Sequence, residues 1–378
     1  MPIFNLINNF ANKILIMKRH LTLFLLIILT YLLSTSCSNT KSNDTTNKPQ
    51  NIILLIGDGM SIPQICASML TQEFPTSFEQ FPITGLVKTH SKSHRITDSA
   101  AGGTAIATGH KTNNGMIGMS ADSVAVQSML EIFAEKGMNT GVVVTSYITH
   151  ATPAAFLAKN INRNNYEEIA IDIANNDKVN ILVGGGRKHF IEREDKLNLI
   201  DEMIADGWTY YDTLGYNYDY NKNIIILADD GHLPPYPKRG NFLPDATSLA
   251  LEKLSKSENG FFLMIEGSQI DFAGHDNDST YLVNEMHDFN TTINRALDFA
   301  QKDQHTLVIV TADHETGGLT IVDPNQNYTK TNFHFSNGSH SPLLVPIFAY
   351  GPGAENFSGI MDNTDIIDKV KNIYNKQY

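Results

Sequence analysis

From Asn51 onward apolar residues come in two patterns: short unbroken runs, and longer stretches in which they recur at helical spacing. The unbroken runs predict strands at Asn51–Ile56, Gly141–Thr145, Asn180–Val183, Ile224–Ala228, Phe261–Ile265, Thr306–Val310 and Leu343–Ala349. Strands apolar on both sides belong in a sheet covered on both faces. The amphipathic stretches predict helices at Ser61–Leu70, Ser123–Lys136, Tyr166–Asn175, Leu197–Asp206, Asp245–Lys256, Thr280–Gln301 and Thr364–Tyr374. Because strand and helix alternate, the expected fold is α/β, a largely parallel central sheet flanked by helices on both faces. Ligands of such sheets sit beyond the carboxyl ends of the strands, so chemistry is sought there.

The N-terminus carries a different pattern. Met17, Lys18, Arg19 and His20 precede an apolar run, Leu21–Leu33, broken only by Thr22 and Thr30 and followed by Ser34, Thr35, Ser36 and Cys37. A basic start, a short apolar run and small residues make an export signal; a spanning helix needs about 20 apolar residues. Met17 reads as the start, since Met1–Ile16 adds nothing such a signal needs. The small residues before Cys37 resemble a bacterial lipoprotein processing site, although Leu33 lies one place further out than that pattern prefers. The resemblance implies membrane attachment through a lipidated Cys37; ordinary signal cleavage is the alternative. Ser38–Gln50 contains only Ser, Asn, Thr, Lys, Asp, Pro and Gln and reads as a flexible tether. The expected organisation is an extension and export signal over 1–37, a tether over 38–50 and one folded domain over 51–378. The expected location is the periplasm, or the outer membrane or cell surface as a lipoprotein.

Composition narrows the function classes. With 28 Lys+Arg against 40 Asp+Glu the formal charge is −12, which argues against binding to a nucleic-acid backbone. Apolar residues at 42% and charged residues at 18% are enough to bury a sizeable core. The two cysteines, Cys37 and Cys66, provide no disulfide framework, and Cys66 is expected on a buried helix face.

Three predicted strands end in groups that carry chemistry. Ile52–Ile56 runs into Gly57, Asp58 and Gly59; Phe261–Ile265 runs into Glu266, then Asp271 and His275; Leu307–Val310 runs into Thr311, Ala312, Asp313 and His314. Each alone has an ordinary explanation as a turn or a solvated helix end. Together they would crowd several anions along one sheet edge, a costly arrangement unless cations neutralise them. Asp, Glu and His donors without thiolates suit Zn²⁺ at mixed N/O sites and Mg²⁺ or Mn²⁺ at all-oxygen ones.

A nucleophile is available in Thr97–Ala105, where Ser99 would open a helix and only small residues follow. There it would feel unpaired backbone N–H groups, which favour an alkoxide and an incoming phosphate; alternatively Asp98 or Ser99 is simply an N-cap. No Gly-x-Ser-x-Gly elbow surrounds Ser99 and no phosphate-binding Gly-x-x-x-x-Gly-Lys loop occurs in the chain. A metal-activated serine is the better reading.

At this point six ordered motifs carry a resemblance: Asn51–Met60, Thr97–Thr104, His150–Ala154, Glu266–His275, Thr311–Gly318 and Gly338–His340 are similar to those of alkaline phosphatases, in order, through nearly all of Asn51–Ala354. The resemblance implies hydrolysis of small phosphate monoesters by a Ser99 phosphoenzyme with two Zn²⁺ and one Mg²⁺. It implies one zinc held by Asp58, Asp313 and His314, a second by Asp271, His275 and His340, and magnesium held by Asp58, Thr152 and Glu266 with His150 nearby. Arg163 matches the family's phosphate clamp. Phe272 stands where some relatives carry Lys or His, so a cationic contact to phosphate is missing, and the pair His150 and Phe272 leaves the third metal's identity open. His110, His189, His232, His287 and His305 have no convergent motif, and His90, His94 and His334 read as structural. No long insertion follows Gly231; the oligomeric state stays open. Two other readings stand: a phosphodiesterase of the same superfamily, against which Arg163 argues, and a metal- or phosphate-binding surface lipoprotein without turnover, against which Ser99 argues.

Overall fold

The computed structural model describes residues 13–22, 48–72, 75–215, 217–322 and 332–375. They fall into two units, Met1–Thr46 and Asn47–Tyr378. In the first, 13–22 is an exposed helix that includes the basic stretch Met17–His20; the other residues expected to form the signal and tether, up to 47, lie outside the described residues. Among the described residues no helix is long and apolar enough to cross a membrane.

Among the described residues of the second unit, fourteen strands are β1 (Asn51–Gly57), β2 (Ile83–Lys88), β3 (Asn139–Tyr147), β4 (Ile181–Gly185), β5 (Thr209–Tyr211), β6 (Ile224–Leu227), β7 (Phe261–Gly267), β8 (Thr306–Thr311), β9 (Glu315–Thr316), β10 (Leu319–Val322), β11 (Asn332–Phe335), β12 (His340–Ser341), β13 (Val345–Tyr350) and β14 (Gly359–Asp362). Ten form one sheet in the order β14-β2-β13-β8-β1-β7-β3-β4-β6-β5. All neighbours are parallel except β13, which runs antiparallel to both β2 and β8. Every residue of β1, β7 and β8 is buried, as their unbroken apolar runs require. The sheet is therefore α/β and largely parallel, and seven of its ten strands are those the apolar runs predict. The unpredicted β2, β5 and β14 lie towards or at the sheet's edges; β2 alternates and β5 has three residues, so neither leaves a run in the sequence.

Two helix expectations fail locally. The helix predicted at Ser123–Lys136 forms only over Met129–Ala134, because Ser128 accepts from the Glu131 amide while the Glu131 carboxylate accepts from the Ser128 amide, fixing the start there. Cys66 is half-buried rather than buried, since the helix Ile62–Thr71 turns Gln64, Ile65, Ala67 and Ser68 inward instead. The fold takes hold slightly before Asn51: the Gln50 and Asn51 amides both donate to His305 O, at 2.8 and 3.2 Å.

Candidate metal centre

The four central strands β8, β1, β7 and β3 deliver the site, because parallel pairing brings their carboxyl ends level. Ile56 is in register with Glu266 on one side and with Thr311 on the other, so Asp58 and Asp313 leave the same edge beside Glu266. His150 follows β3, and the helix Gln269–His275 that begins just after β7 carries Asp271 and His275 four residues apart, one turn along the same face. His340 arrives differently: β12 pairs antiparallel with β9, setting His340 opposite Thr316 and Ser341 opposite Glu315. Ser99 is the first residue of the helix Ser99–Thr108, capped by Asp98, whose Oδ1 accepts from the Ala101 amide at 3.0 Å. The small residues after the serine have a purpose: a Cβ on Gly102 would meet the Asp313 backbone oxygen at 3.0 Å, so the helix could not approach so closely with a side chain there.

Three clusters result, each with donor atoms within 4.8 Å of one another: Asp271, His275 and His340; Asp58, Asp313 and His314; and Asp58, His150 and Glu266. In the first, Nδ1 of His275 lies 2.9 Å from Gly338 O and Nδ1 of His340 lies 2.8 Å from Thr97 O, so each ring keeps its proton on Nδ1. The two Nε2 lone pairs then face each other at 3.2 Å, with Asp271 Oδ1 at 3.4 and 3.5 Å. Such a set of acceptors calls for a cation among them. In the second, His314 Nε2 lies 3.4 Å from Asp58 Oδ1, 3.3 Å from Asp313 Oδ2 and 3.1 Å from Ser99 Oγ. The rings of His314 and His340 stack at 3.6 Å, so the first two clusters abut.

Buried atoms without partners point the same way. Both carboxylate oxygens of Asp58, Asp313 Oδ2, Glu266 Oε1, His150 Nδ1 and Thr152 Oγ1 are buried with no hydrogen-bond partner. Native proteins leave few such atoms, and these six sit in or beside the candidate metal clusters. Glu266 Oε2, by contrast, takes hydroxyl donors from Ser268 at 2.6 Å and Ser146 at 3.3 Å, leaving Oε1 free for the cluster. Burial, and after it the charge of Asp271, pushes Asp313 up to about 8; burial raises Glu266 to about 7 against the pull of neighbouring hydroxyls led by Ser268. Asp58 is held well above the usual range, first by burial and then by Asp313. Burial keeps His314 and His150 neutral, the form that binds metal. A divalent ion in each cluster would restore ionised carboxylates and satisfy the orphaned atoms, so the donor set fits metal on physical grounds.

Beyond the clusters, Arg163 reaches back to the serine turn. Its Nη1 donates to Asp98 Oδ2 at 3.1 Å, and Nη2 lies 3.3 Å from His150 Nε2. Asp98 Oδ2 also accepts from the Gly115 amide at 3.0 Å, so one carboxylate both caps the serine helix and holds the guanidinium near it. The sequence reading set aside His232, yet its ring stacks on Tyr147 at 3.6 Å and meets Phe272 and His150 edge-on at 4.9 and 5.6 Å. No motif could have marked it, because the contact is made by a loop folding back across the sheet end. Thr316 was likewise missed as a site residue, although it lies within the Thr311–Gly318 motif.

Comparison with known proteins identifies the family. The family model described as alkaline phosphatase matches residues 49–334. Alkaline phosphatase 4 of Bacillus subtilis is 35% identical over 84% of this chain and 87% of its own length, and the Escherichia coli alkaline phosphatase is 30% identical over 86% of each. Among solved structures, the alkaline phosphatase of the Antarctic bacterium TAB5 superposes with a TM-score of 0.83 at 44% identity, over 87% of this chain and 100% of that one. A histidine-to-aspartate mutant of that enzyme, described with Mg bound in the M3 site, gives 0.83 at 42% over 88% and 99%. With the family model covering most of the chain and the identity exceeding 30% over most of both sequences, the chain belongs to the alkaline phosphatase family, hydrolases of phosphate monoesters.

Proposed function

We propose that the enzyme transfers the phosphoryl group of a small monoester to Ser99 and then to water. The observation that carries this is Ser99 Oγ at 3.1 Å from His314 Nε2, at a helix start inside the carboxylate and imidazole clusters. Asp58, Asp313 and His314 would hold one Zn²⁺; Asp271, His275 and His340 a second; Asp58, Glu266, Thr152 and His150 an Mg²⁺. When bound, these ions neutralise the buried carboxylates, polarise the serine oxygen and stabilise charge on the attacking and leaving oxygens. Ser99 Oγ forms the new P–O bond as the ester P–O bond breaks, and the alcohol departs with one proton in exchange for the serine's. A water then attacks phosphorus from the opposite side, releasing inorganic phosphate and restoring the serine hydroxyl. The Ser99 helix start, where Asp98 already holds the Ala101 amide, favours the incoming anion through its dipole. Arg163, already oriented by Asp98, forks two non-bridging oxygens. A diester has one fewer charged oxygen to offer that fork, which favours monoesters.

Trapping of labelled phosphate on Ser99 at low pH, followed by peptide mapping, tests the phosphoenzyme; label on any other residue rejects it. For the clamp, Arg163→Lys is expected to lower kcat/KM for an aryl monoester by roughly 100-fold, since a point charge cannot reproduce the fork. An unchanged monoester-to-diester preference in that variant would count against the assigned role. Phe272 packs edge-on to His150 at 5.8 Å and brings no charge to the phosphate. Product release is therefore expected to be easy, and Phe272→Lys should tighten inhibition by inorganic phosphate about fivefold, the equivalent of about 1 kcal/mol; an unaltered inhibition constant would reject this.

The basic start, apolar run and Cys37 support export, with attachment to a membrane through a lipidated cysteine. Radiolabelled fatty acid incorporated into the wild-type chain, and lost in Cys37→Ser, is the expected result.

A further inference from the structure

We infer that Thr316 is a positioning residue whose hydroxyl joins the two histidine-containing zinc clusters as the shared middle of one hydrogen-bond chain, orienting a ligand of each. This rests on the metal reading above.

Thr316 is fully buried, between the Asp58 turn, the helix carrying Asp271, the strand end bearing His314 and the strand bearing His340. Its hydroxyl donates to Asp271 Oδ1 of the first cluster and lies 3.2 Å from Nδ1 of His314 in the second. With its proton spent on the carboxylate, the hydroxyl can only accept from His314, which fixes the ring proton on Nδ1 and turns the Nε2 lone pair toward Asp58, Asp313 and Ser99. The same oxygen thus orients a carboxylate for one ion and an imidazole for the other. Its backbone extends the link: the Thr316 amide donates to Gly59 O at 3.1 Å, one residue past Asp58, and Thr316 pairs with His340 across β9 and β12. Its methyl group lies against Gly274, next to His275, where an added Cβ would stand 2.9 Å away. Gly59 has no room for a side chain for the same reason: with φ at +75°, a Cβ would meet Thr316 Oγ1 at 2.8 Å.

Without the hydroxyl, Asp271 loses a hydrogen bond that aims its carboxylate at one cluster, and His314 loses the acceptor that fixes its tautomer for the other, so a single change weakens both sites.

The test uses the full chain freed of metal, with magnesium saturating and zinc titrated against a competing chromophoric chelator, alongside melting of the metal-free protein. Wild type is expected to take up two zinc ions. Thr316→Val, which keeps the shape, should weaken both by roughly 10- to 100-fold, while Thr316→Ser, which keeps the hydroxyl, should stay near wild type. Thr316→Ala gives the same reading should the valine variant fail to fold. Wild-type affinities in the valine variant, weakening of only one ion, or a serine variant as poor as valine would overturn the assignment. So would a lowered metal-free melting temperature with unchanged zinc affinity, which marks packing alone. A wild type that takes up no zinc overturns the metal reading itself, and the shared positioning with it.

Discussion

Ser99→Ala is expected to lower turnover of an aryl phosphate monoester by roughly 10⁴-fold or more while leaving zinc uptake and melting temperature near those of the wild type. The size of the effect comes from removing the atom that forms the new bond; of the nearby hydroxyls, Thr97 donates to the Asp98 backbone and Thr152 lies beside Glu266. The small effect on folding follows from the local structure. Asp98, not Ser99, caps the helix, so alanine at the next position keeps the cap and places a good helix former in the first turn. Separating these two readouts matters, because loss of activity alone would also follow from a collapsed metal centre. Burst kinetics give a second check: the wild type should release alcohol ahead of phosphate where dephosphorylation limits the rate, and the alanine variant should show no burst. If the variant retains more than a few per cent of wild-type turnover, water attacks the substrate directly and the phosphoserine route is wrong.

How much of this was legible beforehand depends on distance along the chain. The central strands announce themselves, because a strand covered on both faces must be apolar throughout, and Asp58, Glu266 and Asp313 follow such runs within two or three residues. Convergence of those ends then needs only the parallel sheet. His340 is another matter: it sits on a two-residue strand with no pattern of its own, and only its place in an ordered set of motifs marked it. Thr316 and His232 show what no local pattern carries. Thr316 looks like any residue of a polar turn until the helix Gln269–His275 is laid against it, and the loop bearing His232 is pinned from elsewhere, with Gln269 donating to Leu233 O at 2.7 Å and Arg239 buried between Glu285 and Asp288. Propensity also misjudged length at Ser123–Lys136, where a side-chain cap at Ser128 overrode a longer amphipathic stretch.

Metal occupancy should also set the sign of the stability response to pH. In the metal-free protein Asp58, Asp313 and Glu266 carry folded-state pKa values above those of the unfolded chain, with Asp313 at about 8 and Glu266 at about 7. Unfolded carboxyls release their protons near pH 4. Above that the native state binds more protons than the unfolded state, so stability falls as pH rises, and the loss is complete only above the folded value of Asp313. The neutral histidines act in the opposite sense: His150 and His314 are lowered by burial, and His189 and His232 sit at about 4, so below about 6.5 they make stability rise with pH. Those histidines are uncharged in the loaded protein too, and the difference between the two forms isolates the carboxylates. Bound ions keep them ionised and compete with protons, so occupancy strengthens as pH rises. The gap in melting temperature between metal-saturated and metal-free protein is therefore expected to widen steadily from pH 5 to 8, by at least about 5 °C given about 1.4 kcal/mol per pKa unit and roughly 2 °C per kcal/mol for a domain of this size. Scanning calorimetry of both forms at matched ionic strength measures it, and a gap that stays flat or narrows over that range would mean these carboxylates do not share a site with the ions.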